Sequence, residues 1–222
     1  PLDPSLVLQG QFWKQDLHGK QRLMVCAAST RDGEEVIILK AWKDLLLGNT
    51  FEIAPLLCIV PRHPERFSEV ANQIEEASLK FRRRTEWIEA PKDDASVDVI
   101  LGDSMGEMPM YYSAADLVVM GGSLLPFGGQ NLIEACAAGC PVLLGEHTYN
   151  FQQAALDAIE MGAAKRIQSE LILSEPIVLM EALKELLLNT AELAKMSSAA
   201  KSYALEHQGA TQKIMAALEN SN

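Results

Sequence analysis

The chain of 222 residues has no uninterrupted apolar run close to the ~20 residues that a membrane-spanning helix needs. It has no signal-peptide pattern at its start, and it begins at Pro1 rather than a methionine, as a segment of a longer protein would. Basic residues are also few, since 19 Lys and Arg stand against 30 Asp and Glu, for a formal net charge of -11. Phosphate backbones are bound by clustered Lys and Arg, so this balance excludes a general nucleic-acid-binding surface. We expect no membrane-spanning segment in this chain and no nucleic-acid partner.

Cysteine and two common ligand motifs are scarce or missing. The four cysteines, Cys26, Cys58, Cys136 and Cys140, lie in apolar surroundings, without a second cysteine pair or nearby histidine that would favour zinc. Buried free thiols of a cytosolic protein are therefore expected. There is no Asp-x-Asp metal motif, and no Gly-x-Gly-x-x-Gly follows the first predicted strand, which argues against a dinucleotide-dependent oxidoreductase.

The chain does contain a regular alternation of short apolar runs and amphipathic stretches. The apolar runs predict strands at 23–28, 55–60, 97–101, 117–120, 141–144 and 164–167, with a further short strand at 85–88. Helical periodicity predicts helices at 34–47, 64–77, 108–114, 151–161, 177–188 and 191–206. This alternation is typical of an α/β fold with a doubly wound parallel sheet, Rossmann-like, over residues 23–222. Residues 1–22 lack a clean pattern, and we expect a linker or an incoming segment there.

Small, polar and basic residues follow the predicted strands. Ligands of such sheets bind outside the carboxyl ends of the strands, where the strand order reverses. We therefore predict a site built from the segments after the strands, namely Ser29-Thr30-Arg31, Arg62-His63 and Gly106-Glu107, together with the glycine region that follows Met120. Less specific roles stay open for several of them: Thr30, Asp32 or His63 as helix caps, and Arg62 paired with Glu65.

The stretch from Met120 to Phe151 is the most informative part of the chain, because it combines strand, glycine loop, helix and strand. Its glycine pairs, Gly121-Gly122 and Gly128-Gly129, allow the backbone to approach a bulky anionic or sugar-bearing ligand. The helix predicted from Asn131 to Gly139 would direct its free N–H groups toward that ligand. Asn131 and Glu134 share one face of its first turn, either as ligand contacts or as a capping box. A cap is also predicted at Asn150 for the next helix, and Arg82, Arg83 and Arg84 are predicted to form a solvated face or a partner contact.

Taken in order, these motifs resemble the C-terminal half of the transferases of 3-deoxy-D-manno-octulosonic acid (Kdo), which are GT-B glycosyltransferases of lipopolysaccharide synthesis. The resemblance covers nearly the whole chain. Its motifs are Ala28-Ser29-Thr30 with Gly33-Glu34, the run from Pro61 to Phe67, Asp103 to Met108, Tyr111 to Asp116, Gly121 to Leu124, Gly128 to Asn131 with Glu134, Gly139, Pro141-Val142, and Gly145 to Phe151. Gln130 stands where the family usually has histidine, Leu132 where it often has proline, and Glu146 replaces a usual proline.

The resemblance implies one half of a GT-B enzyme, a domain that binds the donor CMP-Kdo (or its product CMP). Transfer of Kdo to the lipid A precursor would proceed with inversion at the anomeric carbon. No cofactor and no metal is expected, since CMP carries a single phosphate. The donor-binding residues that this implies, with those predicted above, are Ser29, Thr30, Arg31, Arg62, His63, Gly106, Glu107, Ser123, Gly128, Gly129, Gln130, Asn131 and Glu134.

In the family, the catalytic glutamate and the acceptor surface belong to the N-terminal half. We therefore expect no catalytic residue in this chain, which would bind nucleotide but not turn over alone. The parent enzyme would associate with the cytoplasmic side of the bacterial inner membrane. Two rival functions remain: the donor domain of another GT-B enzyme that uses a UDP- or GDP-sugar, and a non-catalytic half that only docks its partner domain.

Overall fold

The structure, a computed structural model, describes residues 2–87, 91–167 and 176–219, the stretch 208–219 as backbone only. Its centre is a seven-stranded parallel sheet in the order β3-β4-β2-β1-β5-β6-β7. The strands are β1 Met24–Thr30, β2 Leu56–Pro61, β3 Phe81–Arg83, β4 Val99–Leu101, β5 Leu117–Met120, β6 Val142–Leu144 and β7 Ala164–Arg166. The predicted doubly wound, Rossmann-like α/β fold is confirmed.

Helices cover both faces of the sheet. Within the described ranges they are α1 Pro4–Gly19, α2 Glu34–Leu47, α3 Phe67–Glu76, α4 Met108–Ala114, α5 Ile133–Ala137, α6 Gln152–Glu160, α7 Ile177–Leu188 and α8 Thr190–Glu219. Because side chains alternate along a strand, β1 supplies Met24 and Cys26 to one core and Val25 and Ala27 to the other. The first core is shared with α1, α4, α5, α6 and α8, and the second with α2, α3, α7 and the first turns of α8. No helix within the described ranges is long and apolar enough to cross a membrane.

Residues 1–22 differ from the expected linker, since most of them form the 16-residue helix α1. The Asp3 carboxylate caps it by accepting hydrogen bonds from the N–H groups of Ser5 and Leu6. Trp13 and Leu17 are buried in the core that α1 shares with α4. Leu8 and Phe12, by contrast, are 51% and 58% exposed. Apolar residues therefore lie on both faces of α1, and this hides the helical period in the sequence.

The third strand also lies elsewhere than predicted. The strand expected at 85–88 is found at Phe81–Arg83, followed by a 3-10 turn over Arg84–Glu86, and residue 88 lies outside the described residues. The three arginines of this stretch are not simply solvated. Their guanidinium groups pair with carboxylates, Arg82 with Asp94 at 3.1 Å, Arg83 with Asp103 at 3.3 Å and Arg84 with Glu107 at 2.8 Å.

The strand order reverses beside β1, which lies between β2 and β5. The carboxyl ends of these strands meet there: the N–H of Gly121 donates to the Ala28 oxygen at 2.8 Å, and the N–H of Arg62 donates to the Thr30 oxygen at 3.0 Å. The segments predicted to form the site therefore converge at one edge of the sheet, at its topological switch point.

Candidate functional site

The end of β1 is shaped by an unusual backbone conformation at Ser29, which has φ +54°. The pairing of β1 with β2 is irregular between Ala28 and Thr30. This bend presses the Ser29 carbonyl against the start of the glycine loop. A Cβ on Gly121 would lie 2.7 Å from the Ala28 oxygen and closer still to the Ser29 carbonyl. Glycine is therefore required at position 121 by close packing of two backbones.

Thr30 and Asp32 do not cap α2, so the capping interpretation is wrong. The N-cap residue is Gly33, which makes no side-chain cap. The Thr30 hydroxyl donates instead to Oε1 of Glu35 at 2.7 Å, and both residues are fully buried. The Thr30 side chain thus ties the end of β1 to the first turn of α2.

Glu34 is a functional candidate that sequence reasoning missed, although it stands in a quoted motif. Its buried carboxylate accepts hydrogen bonds from the N–H groups of Arg31 (2.9 Å), Gly122 (2.7 Å), Leu124 (3.0 Å) and Leu125 (3.3 Å). Burial raises the pKa of Glu34, and these four N–H groups oppose that shift. An acidic residue in a first helical turn is ordinary in sequence, so the sequence carried no signal of contacts about 90 residues away.

The two loops are joined a second time by Arg31 and Phe127. The Arg31 guanidinium lies over the Phe127 ring, 5.0 Å from its centroid. Arg31 is therefore placed at the rim of the site, with its charge partly engaged by an aromatic face.

The basic residues after β2 are used in different ways. Arg66 is held by three carboxylates, with Glu35 at 2.6 Å, Glu69 at 3.0 Å and Asp32 at 3.4 Å. Arg62 is exposed, and within the described chain no carboxylate pairs with it, so the predicted alternative of a Glu65 salt bridge is not formed. His63 precedes the 3-10 turn at Pro64–Arg66 but makes no side-chain cap. Arg62 is thus the cation of this segment that is available to an outside anion.

Gly106 and Glu107 form the rim after β4. Gly106 is exposed, and nothing lies within 4 Å of the position of a Cβ there. The Glu107 carboxylate accepts from Arg84 at 2.8 Å and from the Ser104 hydroxyl, which also lies 3.0 Å from the Tyr111 hydroxyl. The interactions of Glu107 therefore shape the loop.

The glycine loop is fixed from its other side by the segment after β6. Ser123 is fully buried, and its hydroxyl donates to the Met120 oxygen and accepts from the N–H of Gly145 at 2.8 Å. The N–H of Gly129 donates to the Gly122 oxygen at 2.6 Å, which closes the loop on itself. The side chain of Asn150 donates to the Phe127 oxygen at 3.2 Å and caps no helix, in contrast to the prediction. The conformation of the loop is therefore held by hydrogen bonds within the chain.

The helix behind the loop is shorter than predicted, since α5 has only five residues. Asn131 accepts a hydrogen bond from the N–H of Ile133 at 3.0 Å, but Leu132 is the N-cap residue, so there is no capping box. Glu134 is exposed. The helix ends before Gly139, as predicted, with the N–H of Cys140 donating to the Ala135 oxygen.

Burial of Tyr112 is the main cause of its raised pKa, the negative charge of Glu134 adds to it, and the positive charge of Arg62 opposes it. The charges of both groups therefore act on the Tyr112 phenol. Of the predicted residues, seven present side chains that are at least partly exposed, namely Arg31, Arg62, His63, Glu107, Gln130, Asn131 and Glu134. Ser29, Thr30, Ser123, Gly128 and Gly129 are buried and form the framework.

The described residues include no group of three or more His, Cys, Asp or Glu placed to hold a metal ion. The four cysteines are free and buried, as predicted.

The doubly wound sheet, with the glycine loop at its switch point, defines the class: a Rossmann-like domain of the kind found as the C-terminal half of GT-B glycosyltransferases. It is similar to the crystal structure of the C-terminal CMP-Kdo binding domain of WaaA from Acinetobacter baumannii, with a TM-score of 0.78 and 27% identity over 90% of this chain and 98% of that one. The chain is also 42% identical to the 3-deoxy-D-manno-octulosonic acid transferase of Bordetella pertussis, over 90% of this chain and 45% of that protein. It is 37% identical to the Haemophilus influenzae transferase of the same name, over 92% of this chain and 44% of that protein.

The chain belongs to the Kdo transferase family, as its motifs predicted. It spans about half the length of the curated relatives that it matches. No protein-family model matches it.

Proposed function

We propose that this chain is the donor-binding half of an inverting Kdo transferase and binds CMP-Kdo at the switch-point edge. The observation that carries the proposal is the state of Arg62, which is exposed and lacks a carboxylate partner among the described residues, while Arg66 beside it is neutralised by three carboxylates. The guanidinium offers forked N–H donors that match a phosphate. The relationship to Kdo transferases and the likeness to a CMP-Kdo binding domain support this choice of ligand.

In the proposed reaction, a hydroxyl oxygen of the lipid A precursor attacks the anomeric carbon of Kdo. The bond from that carbon to the phosphate oxygen breaks, its electron pair stays on the phosphate, and CMP leaves. Negative charge on the phosphate grows in the transition state, so a fixed cation beside it lowers the barrier. We assign this role to Arg62. The helix α5 contributes less than the sequence suggested, because a five-residue helix has a small summed dipole.

The other exposed groups would orient the nucleoside. The Glu134 carboxylate is suited to accept hydrogen bonds from ribose hydroxyls, and the side chains of Asn131 and Arg31 are at least partly exposed as further polar contacts. We propose no metal requirement, since a single phosphate is matched by one guanidinium. The proton of the attacking hydroxyl would pass to a base on the other half of the longer relatives, which would also meet the acceptor at the cytoplasmic face of the inner membrane.

A calorimetric titration with CMP tests the proposal. We expect Arg62→Ala to weaken CMP binding about 10- to 100-fold, because a charged hydrogen bond is lost. Glu134→Ala should weaken it by about tenfold. Arg82→Ala is the matched control, since Arg82 lies on β3, pairs with Asp94 and should leave CMP affinity unchanged. Undetectable binding of CMP at millimolar concentration, or undiminished binding by the variant that combines Arg62→Ala with Glu134→Ala, would refute the proposal.

Nucleotide choice needs a separate comparison. CMP, UDP and GDP should be compared at equal concentration by thermal shift on the same preparation. We expect the largest rise in melting temperature with CMP, because among the described site residues Arg62 is the one exposed guanidinium without a carboxylate partner, while Arg31 lies against Phe127, and a single exposed guanidinium suits a single phosphate. A larger shift with UDP or GDP would assign the chain to another GT-B donor class.

A further inference from the structure

Glu34 connects the loop after β1 to the glycine loop after β5. It lies at the start of α2 with no exposed surface. One carboxylate oxygen accepts the N–H groups of Arg31 and Gly122, and the other accepts those of Leu124 and Leu125. Gly122, Leu124 and Leu125 lie in an irregular segment where strand and helix partners are absent, so the carboxylate supplies the acceptor that each N–H needs.

This arrangement gives the first glycine pair, Gly121-Gly122, a different role from the predicted approach to an anionic ligand. A turn with several N–H groups pointing to one place is an anion-binding concavity. Here the concavity is already filled, from inside the protein, by the carboxylate of Glu34. These N–H groups are therefore not available to a phosphate, which must be met by other groups of the rim such as Arg62.

Charge-assisted hydrogen bonds are short and strong, and four on one buried carboxylate fix the relative position of the two loops. Two further contacts hold the rest of the glycine loop in this arrangement. The Arg31 guanidinium lies 5.0 Å from the centroid of the Phe127 ring, and the N–H of Gly129 donates to the Gly122 oxygen. We infer that Glu34 is a positioning residue that pre-organises the glycine loop for the donor. The inference rests on the proposed function only in naming the donor as the ligand that benefits.

Amide hydrogen exchange of the chain tests the contact itself. In the wild type, the amides of Leu124 and Leu125 should exchange slowly despite their place in a loop. Glu34→Gln places an NH₂ group against two of the N–H donors, so exchange at Gly122, Leu124 and Leu125 should rise about tenfold or more relative to β1 and α4. Glu35→Gln is the matched control, because Glu35 is equally buried but bonds Thr30 and Arg66 instead. It should leave exchange in the loop unchanged.

CMP binding tests the positioning role. We expect Glu34→Gln to weaken CMP binding about tenfold, and Glu34→Asp, which keeps the charge but is one methylene shorter, to give a smaller loss. The inference is overturned by fast exchange at Leu124 and Leu125 in the wild type, by a uniform rise over the whole chain in Glu34→Gln, or by a loosened loop with unchanged CMP affinity. If the wild type binds no CMP, the proposed function fails. Slow exchange at the amides of Gly122, Leu124 and Leu125 would still support the role of Glu34 in fixing the glycine loop.

Discussion

At the scale of single residues, the tightest constraint in the site is the contact between the backbones of Ser29 and Gly121. Ser29 has a left-handed conformation, which few residues other than glycine adopt without strain. That conformation turns its carbonyl toward Gly121, whose N–H donates to the Ala28 oxygen. The contact therefore sets how closely the loops after β1 and β5 approach each other.

We predict that Gly121→Ala destabilises the chain by about 2–3 kcal/mol, because the added Cβ overlaps the backbone carbonyl of Ser29 and neither backbone can move cheaply. The free energy of unfolding from urea titrations measures this. Gly19→Ala is the control: nothing lies within 4 Å of its Cβ position, at the end of α1. It should change stability by less than about 0.5 kcal/mol. Equal effects of the two substitutions would contradict the prediction.

At the scale of elements, α1 is an integral part of the fold. Its indole side chain Trp13 is 1% exposed and meets Trp87 edge-on, with the ring centroids 6.3 Å apart. Lys14 donates to the Ala115 oxygen at 2.7 Å, which ties the same helix to the end of α4. The helix α1 therefore covers one side of the core that it shares with β1 and α4.

We predict that Trp13→Ala lowers the free energy of unfolding by about 3–5 kcal/mol, as expected for truncating a large buried aromatic side chain. Phe12→Ala, one residue earlier and largely exposed, should cost less than about 1 kcal/mol. Urea unfolding followed by circular dichroism measures both. A small loss for Trp13→Ala would mean that α1 is not docked in solution.

At the scale of the whole molecule, Asp116 joins three parts of the chain. Its carboxylate lies 2.9 Å from Nζ of Lys14 and 2.9 Å from Nε2 of His18 on α1, and it accepts from the N–H of Met24 at the start of β1. Burial by itself would raise the pKa of Asp116, but the bond with His18, the charge of Lys14 and the N–H of Met24 outweigh it and lower the pKa below its ordinary 3.8.

A lowered pKa in the folded state means that ionised Asp116 stabilises the fold above about pH 4, and that this contribution is lost as the pH falls through the lowered pKa. We predict that Asp116→Asn destabilises the chain by about 1–3 kcal/mol at pH 7 and that the difference from wild type shrinks at pH 3. Urea unfolding at both pH values measures it. Asp44→Asn, at an exposed position on α2, is the control and should have little effect at pH 7. A difference that stays constant between pH 7 and pH 3 would contradict the assignment.

The accuracy of the sequence predictions varied with the length and clarity of the pattern. The helices α2, α4 and α7 have the predicted bounds, since each has a clear apolar period between glycine, proline or acidic boundaries. The strand β3 was displaced because its arginine-rich sequence carries little apolar signal, and only pairing with β4 identifies it.

The sequence by itself determined the fold class and the family, because apolar periodicity and local motifs are properties of contiguous residues, and it predicted the edge of the sheet where the candidate site lies. It also identified Arg62 and Glu134 as candidates. The tertiary structure alone decided which polar groups remain available. Arg66 is neutralised in part by Glu35, which is 31 residues away in the sequence. The Glu34 carboxylate accepts hydrogen bonds from glycine-loop N–H groups that are 88 to 91 residues away. Such pairings depend on which strands become neighbours, and no local pattern encodes that choice.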